Sequence, residues 1–221
     1  MESLEQTGEK FNLDTYLSAR QLCKSVVRKI ATLVEPGISE TIGQQFIKEE
    51  FAKVGVSKFW HPSKFRIGPE TMKSFREIPN ETIRLGKGDV FFLDVGPIID
   101  DHEADYGETF ISATMGSSNE ELKKLSEASI KIWNETASRW KNEKLSGVAL
   151  FNFADQLAKS YEYQLNPLMA GHRLGDFPHA LFSKEKLFSL DFVPRENLWV
   201  LEIHLVDTKL QRGAFFEDVL L

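Results

Sequence analysis

Four carboxylates stand in stretches that are otherwise apolar, and their spacing limits what this chain can do. Asp94 lies in VFFLDV and Asp105 follows eleven residues later, opening DYGETF; Glu202 lies in LWVLEIHL and Glu217 in GAFFEDVLL. Each pair reads as strand, turn, strand. A hairpin symmetric about Ile99 and Asp100 sets Asp94 directly opposite Asp105, and one symmetric about Lys209 and Leu210 sets Glu202 opposite Glu217. Directly opposed side chains lie about 4.5–5.5 Å apart at Cβ, where like charges destabilise a sheet. Burying an unpaired carboxylate is worse. The neighbours Phe91, Phe92, Leu93, Val95, Val200, Leu201 and Ile203 make full exposure hard to arrange. Two such pairs need a compensating charge, which one or two divalent cations supply. Asp100, Asp101 and Glu103 fall in the first turn and are expected to be solvated, as is His102.

Between the hairpins runs GHRLGDFPH, in which His172 is a candidate metal ligand and His179 a candidate substrate-facing group. Glycines at 171 and 175 permit close backbone approach there. One imidazole with four carboxylates is an oxygen-rich set suited to Mn(II), Fe(II) or Co(II), with Zn(II) as an alternative. Shared carboxylates would bridge two ions about 3.5–4 Å apart, clamping a hydroxide and an electrophilic carbonyl. Around them, His61 in KFWHPSKF could fold back into the pocket, and Arg76 or Arg173 could form a polar rim that holds a substrate terminus. His204, two residues after Glu202, shares its face of a regular strand and could line the pocket.

The elements that must position these groups alternate in kind. Phe11 to Val34 carries apolar residues at helical spacing, and Ser39 is a candidate N-cap for a second helix holding Ile42, Phe46 and Phe51. Extended signals follow from Ser57 to Thr114, strongest at Asp89 to Val95 and Asp105 to Ala113. Asn119 to Trp140 and Leu150 to Leu165 read as two more helices, then Leu198 to Val206 and Gly213 to Leu221 as strands. Two rounds of helix, helix, then strands predict an α+β domain of two similar halves, near 1–115 and 116–221. The four tryptophans are expected in the core. Cys23 is the only cysteine, so neither an internal disulfide nor a multi-cysteine zinc site is available.

With 221 residues, 42% hydrophobic and 27% charged, the chain suits one domain over 1–221 with a flexible leader at 1–10. A net charge of -6 and no Lys/Arg block argue against a nucleic-acid surface. The polar start lacks the apolar core of a signal peptide, and no apolar run approaches the ~20 residues of a membrane helix. A cytoplasmic protein is expected, and a homodimer is compatible with this composition.

These residues, in this order, resemble the pita-bread metallopeptidases: methionine aminopeptidase, aminopeptidase P and Xaa-Pro dipeptidase (prolidase). Asp94 and Asp105 match the two aspartates and their spacing, His172 the metal-binding histidine of GHxxGxxxH, and Glu202 and Glu217 the two glutamates. His179 matches the second histidine, which in the family contacts the scissile carbonyl and the developing charge. The resemblance covers most of the chain, and its length matches the bare catalytic domain. It implies two αα-ββ halves around a curved antiparallel sheet that encloses two metal ions.

Departures bear on the substrate. The family's upstream histidine, in an HGIP-like context, is missing: the stretch reads FREIP, with Arg76 or Glu77 in its place. Glu108 replaces the arginine after the second aspartate, and Glu202 lacks the usual Pro-Gly neighbours. The resemblance implies a dinuclear hydrolase, an aminopeptidase or Xaa-Pro dipeptidase, cleaving a short peptide or small amide through a metal-bridging hydroxide. In it Glu202 relays the nucleophile's proton and His179 stabilises the oxyanion. The alternatives are oxidative or other non-peptidase chemistry at the same metals, and a non-catalytic peptide-binding member of the fold.

Overall fold

The computed structural model describes residues 4–113 and 119–221. In chain order the elements are α1 (Leu13–Leu33), α2 (Glu40–Ala52), β1 (Lys64–Ile67), β2 (Val90–Val95), β3 (Ile98–Ile99), β4 (His102–Glu103) and β5 (Tyr106–Ile111). The second half brings α3 (Glu120–Glu143), α4 (Gly147–Ser160), β6 (Gln164–Leu165), β7 (His172–Arg173), β8 (Trp199–Asp207) and β9 (Arg212–Val219). Each helix starts on a side chain that accepts from the first turn: Asn12, Ser39, Asn119 and Ser146. Ser39 caps α2 as the sequence predicts.

Seven of the described strands form one antiparallel sheet in the order β1-β2-β5-β9-β8-β6, with β7 also on β8, and β3 pairs with β4 in a separate two-stranded sheet. Its two halves meet where β5 pairs with β9, Gly107 opposite Glu217. Each half buries its own core. α1 lays Ala19, Cys23, Val26, Val27 and Ile30 on the first half, with Phe65, Phe91 and Leu93. α3 and α4 lay Leu125, Ile132, Trp140, Leu150 and Ala154 on the second, with Trp199, Leu201 and Ile203. This is the two-halved α+β architecture that the alternation of elements predicts.

The first hairpin turns one residue later than its symmetry suggested. Ile98 faces Glu103 and Ile99 faces His102, so Asp100 and Asp101 form the turn, at φ of 48° and 58°. Two left-handed residues are what a two-residue turn of this hand requires, and aspartate tolerates that conformation where β-branched Ile99 does not. The register shifts by two: Asp94 faces Gly107, and Asp105 falls just before β5, diagonal to Asp94. The second hairpin has the expected register, with Glu202 directly opposite Glu217.

Three further expectations give way. The fourth helix begins at Gly147, on the Ser146 cap, and ends at Ser160; Gln164 and Leu165 instead join the sheet edge beside β8. The leader expected to be flexible is tied down from Glu5 onward. Glu5 accepts from the Arg195 backbone and the Trp199 indole, and Gly8 N–H donates to Asp176 at 2.8 Å. His102, expected to be exposed, is buried beneath this segment, accepting from Asn12 N–H at 2.8 Å and donating from Nδ1 to the Asp100 carbonyl.

If the turn is set by left-handed geometry, Asp100→Asn with Asp101→Gly should raise the thermal midpoint by roughly 1–3 °C. The exposed Lys10–Asp101 pair that is lost contributes little. A lowered midpoint in differential scanning calorimetry would contradict the turn assignment.

Candidate metal centre

One row of residues crosses the middle of the sheet. Lys64 on β1 faces Asp94 on β2, Asp94 faces Gly107 on β5, Gly107 faces Glu217 on β9, and Glu217 faces Glu202 on β8. Directly paired residues share a face, so three carboxylates point the same way, and Asp105, two residues before Gly107, joins them. Gly107 leaves the gap they converge on: a Cβ there would lie 2.8 Å from Glu217 Oε1 and 2.5 Å from the Phe215 ring. Asp94, Asp105, Glu202 and Glu217 are all at most 7% exposed.

Histidines close the cluster from two sides. Gly171, at φ of 67°, packs against the Val200 carbonyl and donates its N–H to Glu202 Oε2 at 2.6 Å. A side chain at 171 would collide with that carbonyl, so glycine is what lets β7 approach β8 closely enough to aim His172 inward. His172 Nε2 then lies 3.0 Å from Asp105 Oδ2, and its Nδ1 donates to the Arg173 carbonyl. From the opposite side, His61 Nε2 lies 3.4 Å from Asp94 Oδ1 and 3.6 Å from Asp105 Oδ1. Two triads have ligand atoms close enough to share an ion: His61, Asp94 and Asp105, and Asp105, His172 and Glu217.

The residues present fit a divalent cation. His61 Nε2, Asp105 Oδ1 and Glu217 Oε1 are buried with no hydrogen-bond partner, a costly condition unless something charged sits among them. The protonation equilibria register the same strain. Burial, with Asp105 and Glu202 nearby, raises Asp94 to about 6 although His61 opposes the rise. Burial and the charges of Asp105, Asp94 and Glu202 push Glu217 well above the usual carboxylate range. Burial would lower His61, but the charges of Asp94 and Asp105 outweigh it and raise the imidazole to about 9. Asp105 moves the other way: His172 and His61 overcome its burial and lower it. The opposite face of the same sheet shows what ordinary neutralisation looks like. There Asp218 receives Arg20 and Lys24, and Glu108 receives Arg28, from one stripe of α1.

The sequence matches the model of metallopeptidase family M24 over residues 14–221. The chain belongs to metallopeptidase family M24. No curated protein sequence is significantly similar to it. The prolidase from Pyrococcus horikoshii superposes with a TM-score of 0.76 at 16% identity, over 99% of this chain and 60% of that one. The X-Pro aminopeptidase from Thermotoga maritima gives 0.75 at 14%, over 96% and 58%. The methionine aminopeptidase from Thermotoga maritima gives 0.74 at 14%, over 97% and 93%. This M24 chain therefore has the pita-bread fold, and it spans about 60% of the length of the prolidase.

Above the M24 carboxylates opens a cavity of about 490 Å³. Its walls include Trp60, His61, His172 and His179, and Lys64, Arg76, Lys184 and Lys186 stand among its lining residues with Glu185. His179 is held by Glu103: the carboxylate accepts from its backbone N–H at 3.0 Å and from Nδ1 at 2.6 Å. Glu103 was expected to be solvated, yet it is buried. The signal for it was present, because Glu103 lies two residues before Asp105 and so on the same face of an extended strand. Trp60 was expected in the core but lines the cavity, its ring 4.3–5.2 Å from those of His61, His172 and His179. Nothing in the local pattern marks it, since a long loop carries it to the site.

Two expected pocket residues point elsewhere. Arg173 backs the cavity wall, but its guanidinium turns to the leader, donating to the Gln6 carbonyl and lying over the Phe182 ring. His204 is fully buried beside Phe92 and Phe215; it donates from Nε2 to the Thr71 carbonyl and accepts from Asn166, and burial lowers it to about 4. Arg76 does reach the cavity mouth, its guanidinium over the Phe75 ring. Glu77, which shares the site of the missing histidine, instead accepts from Ser74.

Two measurements follow. Asp94, Glu217 and His61 all bind protons more tightly folded than unfolded, so their contribution is present at low pH and lost as pH rises. Chelated protein should therefore lose thermal stability from pH 6.5 to 9, above the range in which the lowered His204 works in the opposite direction, and excess Mn(II) or Zn(II) should flatten the profile; a chelated midpoint that climbs over this range would contradict the cluster. Gly107→Ala should destabilise by about 1–3 kcal/mol through overpacking and weaken divalent-metal binding, checked by urea denaturation and calorimetric titration.

Proposed function

We propose that this chain is a cytoplasmic, metal-dependent hydrolase of short peptides or small amides. The observation that carries the reading is the row of carboxylates converging on the Gly107 gap in a chain of family M24. Asp94, Asp105, His172, Glu202 and Glu217 would hold two divalent ions, Mn(II), Fe(II) or Co(II), with Zn(II) as the alternative. When bound, the ions would supply Lewis acidity, lowering the pKa of a water and polarising the carbonyl under attack.

The side chains supply the rest. Glu202, which accepts from the Gly171 N–H, would take the proton of the attacking water and return it to the leaving amine. His179 lines the cavity with its ring oriented by Glu103 through Nδ1, and as the doubly protonated imidazolium its Nε2–H would donate to the charge developing on the carbonyl oxygen. Glu103 acts through His179 as a positioning residue. Among the described residues Lys64, Arg76, Lys184 and Lys186 form no ion pair, so they support the binding of a substrate carboxylate at the mouth. Trp60 provides an apolar wall that excludes water from one side.

Protein purified anaerobically should carry about two of these ions per chain and lose them in Asp105→Ala. Reconstituted protein should hydrolyse members of a dipeptide and N-terminal-residue library. His179→Ala should lower kcat about 10²–10³-fold while retaining its metal. Metal binding without turnover of any peptide would overturn the peptidase reading; oxygen consumption in its place would point to the non-hydrolytic alternative.

A further inference from the structure

We propose that His61 is a sixth metal ligand, giving each of the two ions one imidazole. The inference rests on the metal-centre reading above and assigns a residue that the five-ligand pattern does not contain.

His61 is built in the way His172 is built. Each donates from Nδ1 to a neighbouring backbone carbonyl, His172 to that of Arg173 at 3.0 Å and His61 to that of Pro62 at 3.1 Å. A carbonyl can only accept, so Nδ1 carries a proton in both rings, and Nε2 is the nitrogen left to give its lone pair to an ion as its own proton leaves. That is the arrangement by which a metal-binding imidazole is fixed in tautomer and orientation. In both rings Nε2 faces Asp105, from opposite sides: His172 toward Oδ2 and His61 toward Oδ1.

The distances separate this role from a hydrogen bond. His61 Nε2 stands 3.4 and 3.6 Å from the Asp94 and Asp105 oxygens and has no hydrogen-bond partner. N–H···O bonds to carboxylates are shorter, about 2.7–2.9 Å. Two ligand atoms each about 2.0–2.2 Å from one tetrahedral ion stand roughly 3.3–3.6 Å apart.

The loop that carries His61 is anchored for the purpose. Ile98 N–H donates to the Lys58 carbonyl, Trp60 N–H to the Gly96 carbonyl, and the Trp60 indole to the Ala104 carbonyl. Residues 58–60 are thus fastened to both sides of the hairpin that bears Asp94 and Asp105. Gly96 admits the ring, since a Cβ there would lie 2.3–2.4 Å from His61 and from the Trp60 indole. A surface histidine would need neither the anchored loop nor the space.

The consequence is a change of metal preference. With His61 the set holds two imidazoles and four carboxylates, which moves it toward Zn(II) and Fe(II) and away from Mn(II). X-ray absorption on the Zn(II)-loaded full chain should give about one imidazole per ion, falling to about half that in His61→Gln. Equilibrium competition should show His61→Gln losing at least about 10-fold in affinity for one of two Zn(II) ions, with a smaller loss for Mn(II). The wild-type imidazole count needs no variant, and circular dichroism of chelated His61→Gln checks its fold. Two bound Zn(II) with only half an imidazole per ion, or unchanged Zn(II) affinity in a folded His61→Gln, would overturn this assignment and leave the five-ligand centre standing. Wild-type protein that binds no divalent ion would overturn both.

Discussion

Mutual repulsion among four buried carboxylates organises this protein. Asp94, Glu217 and Glu202 lie in one transverse row of the sheet, and Asp105 enters beside them through the gap at Gly107. In a desolvated seam such an arrangement is unfavourable without positive charge, and the sheet does not lack cations to provide it. On its outer face Arg20, Lys24 and Arg28 of α1 neutralise Asp218 and Glu108 one by one. On the inner face, among the described residues, the groups that pair with Asp94 and Asp105 are imidazoles, which neutralise weakly but coordinate well.

The fold exists in two halves because neither half can make this row alone. Each half carries a core of its own, and the two are tied across the β5–β9 seam, where Phe216 of β9 joins the first core on the outer face while Glu217 turns to the inner one. The third face of the site comes from segments that are not strands of either hairpin: β7 with His172, the loop with Trp60 and His61, and the His179 turn held by Glu103. The leader and the first hairpin support that face through Asp176 and His102.

Much of this was legible before the structure. Helical periodicity, the Ser39 cap and two rounds of helices and strands specify the architecture, since local spacing alone encodes which face of each element is apolar. The second hairpin was also read in register, because its loop of four residues is centred where the apolar alternation on both sides predicts. The first hairpin was misplaced by one residue at its turn. The spacing of the acids points to Ile99 and Asp100, but the turn needs left-handed residues, which Asp100 and Asp101 accommodate and Ile99 does not. Glu103 and His102 were then assigned to solvent because turn residues usually are, whereas the hairpin here lies beneath the leader and the His179 turn.

The sequence by itself determined the elements, their apolar faces and the four acids and one imidazole at family-specific spacing, because each of these is carried by residue types and their positions along the chain. Only the tertiary structure decided which groups stand around one point. That Arg173 and His204 turn away, that Trp60 and Glu103 belong to the cavity, and that His61 reaches Asp94 and Asp105 depend on contacts between residues 33 to 167 positions apart. Such contacts are set by how two cores pack around a shared seam, and no local pattern of residues carries that information.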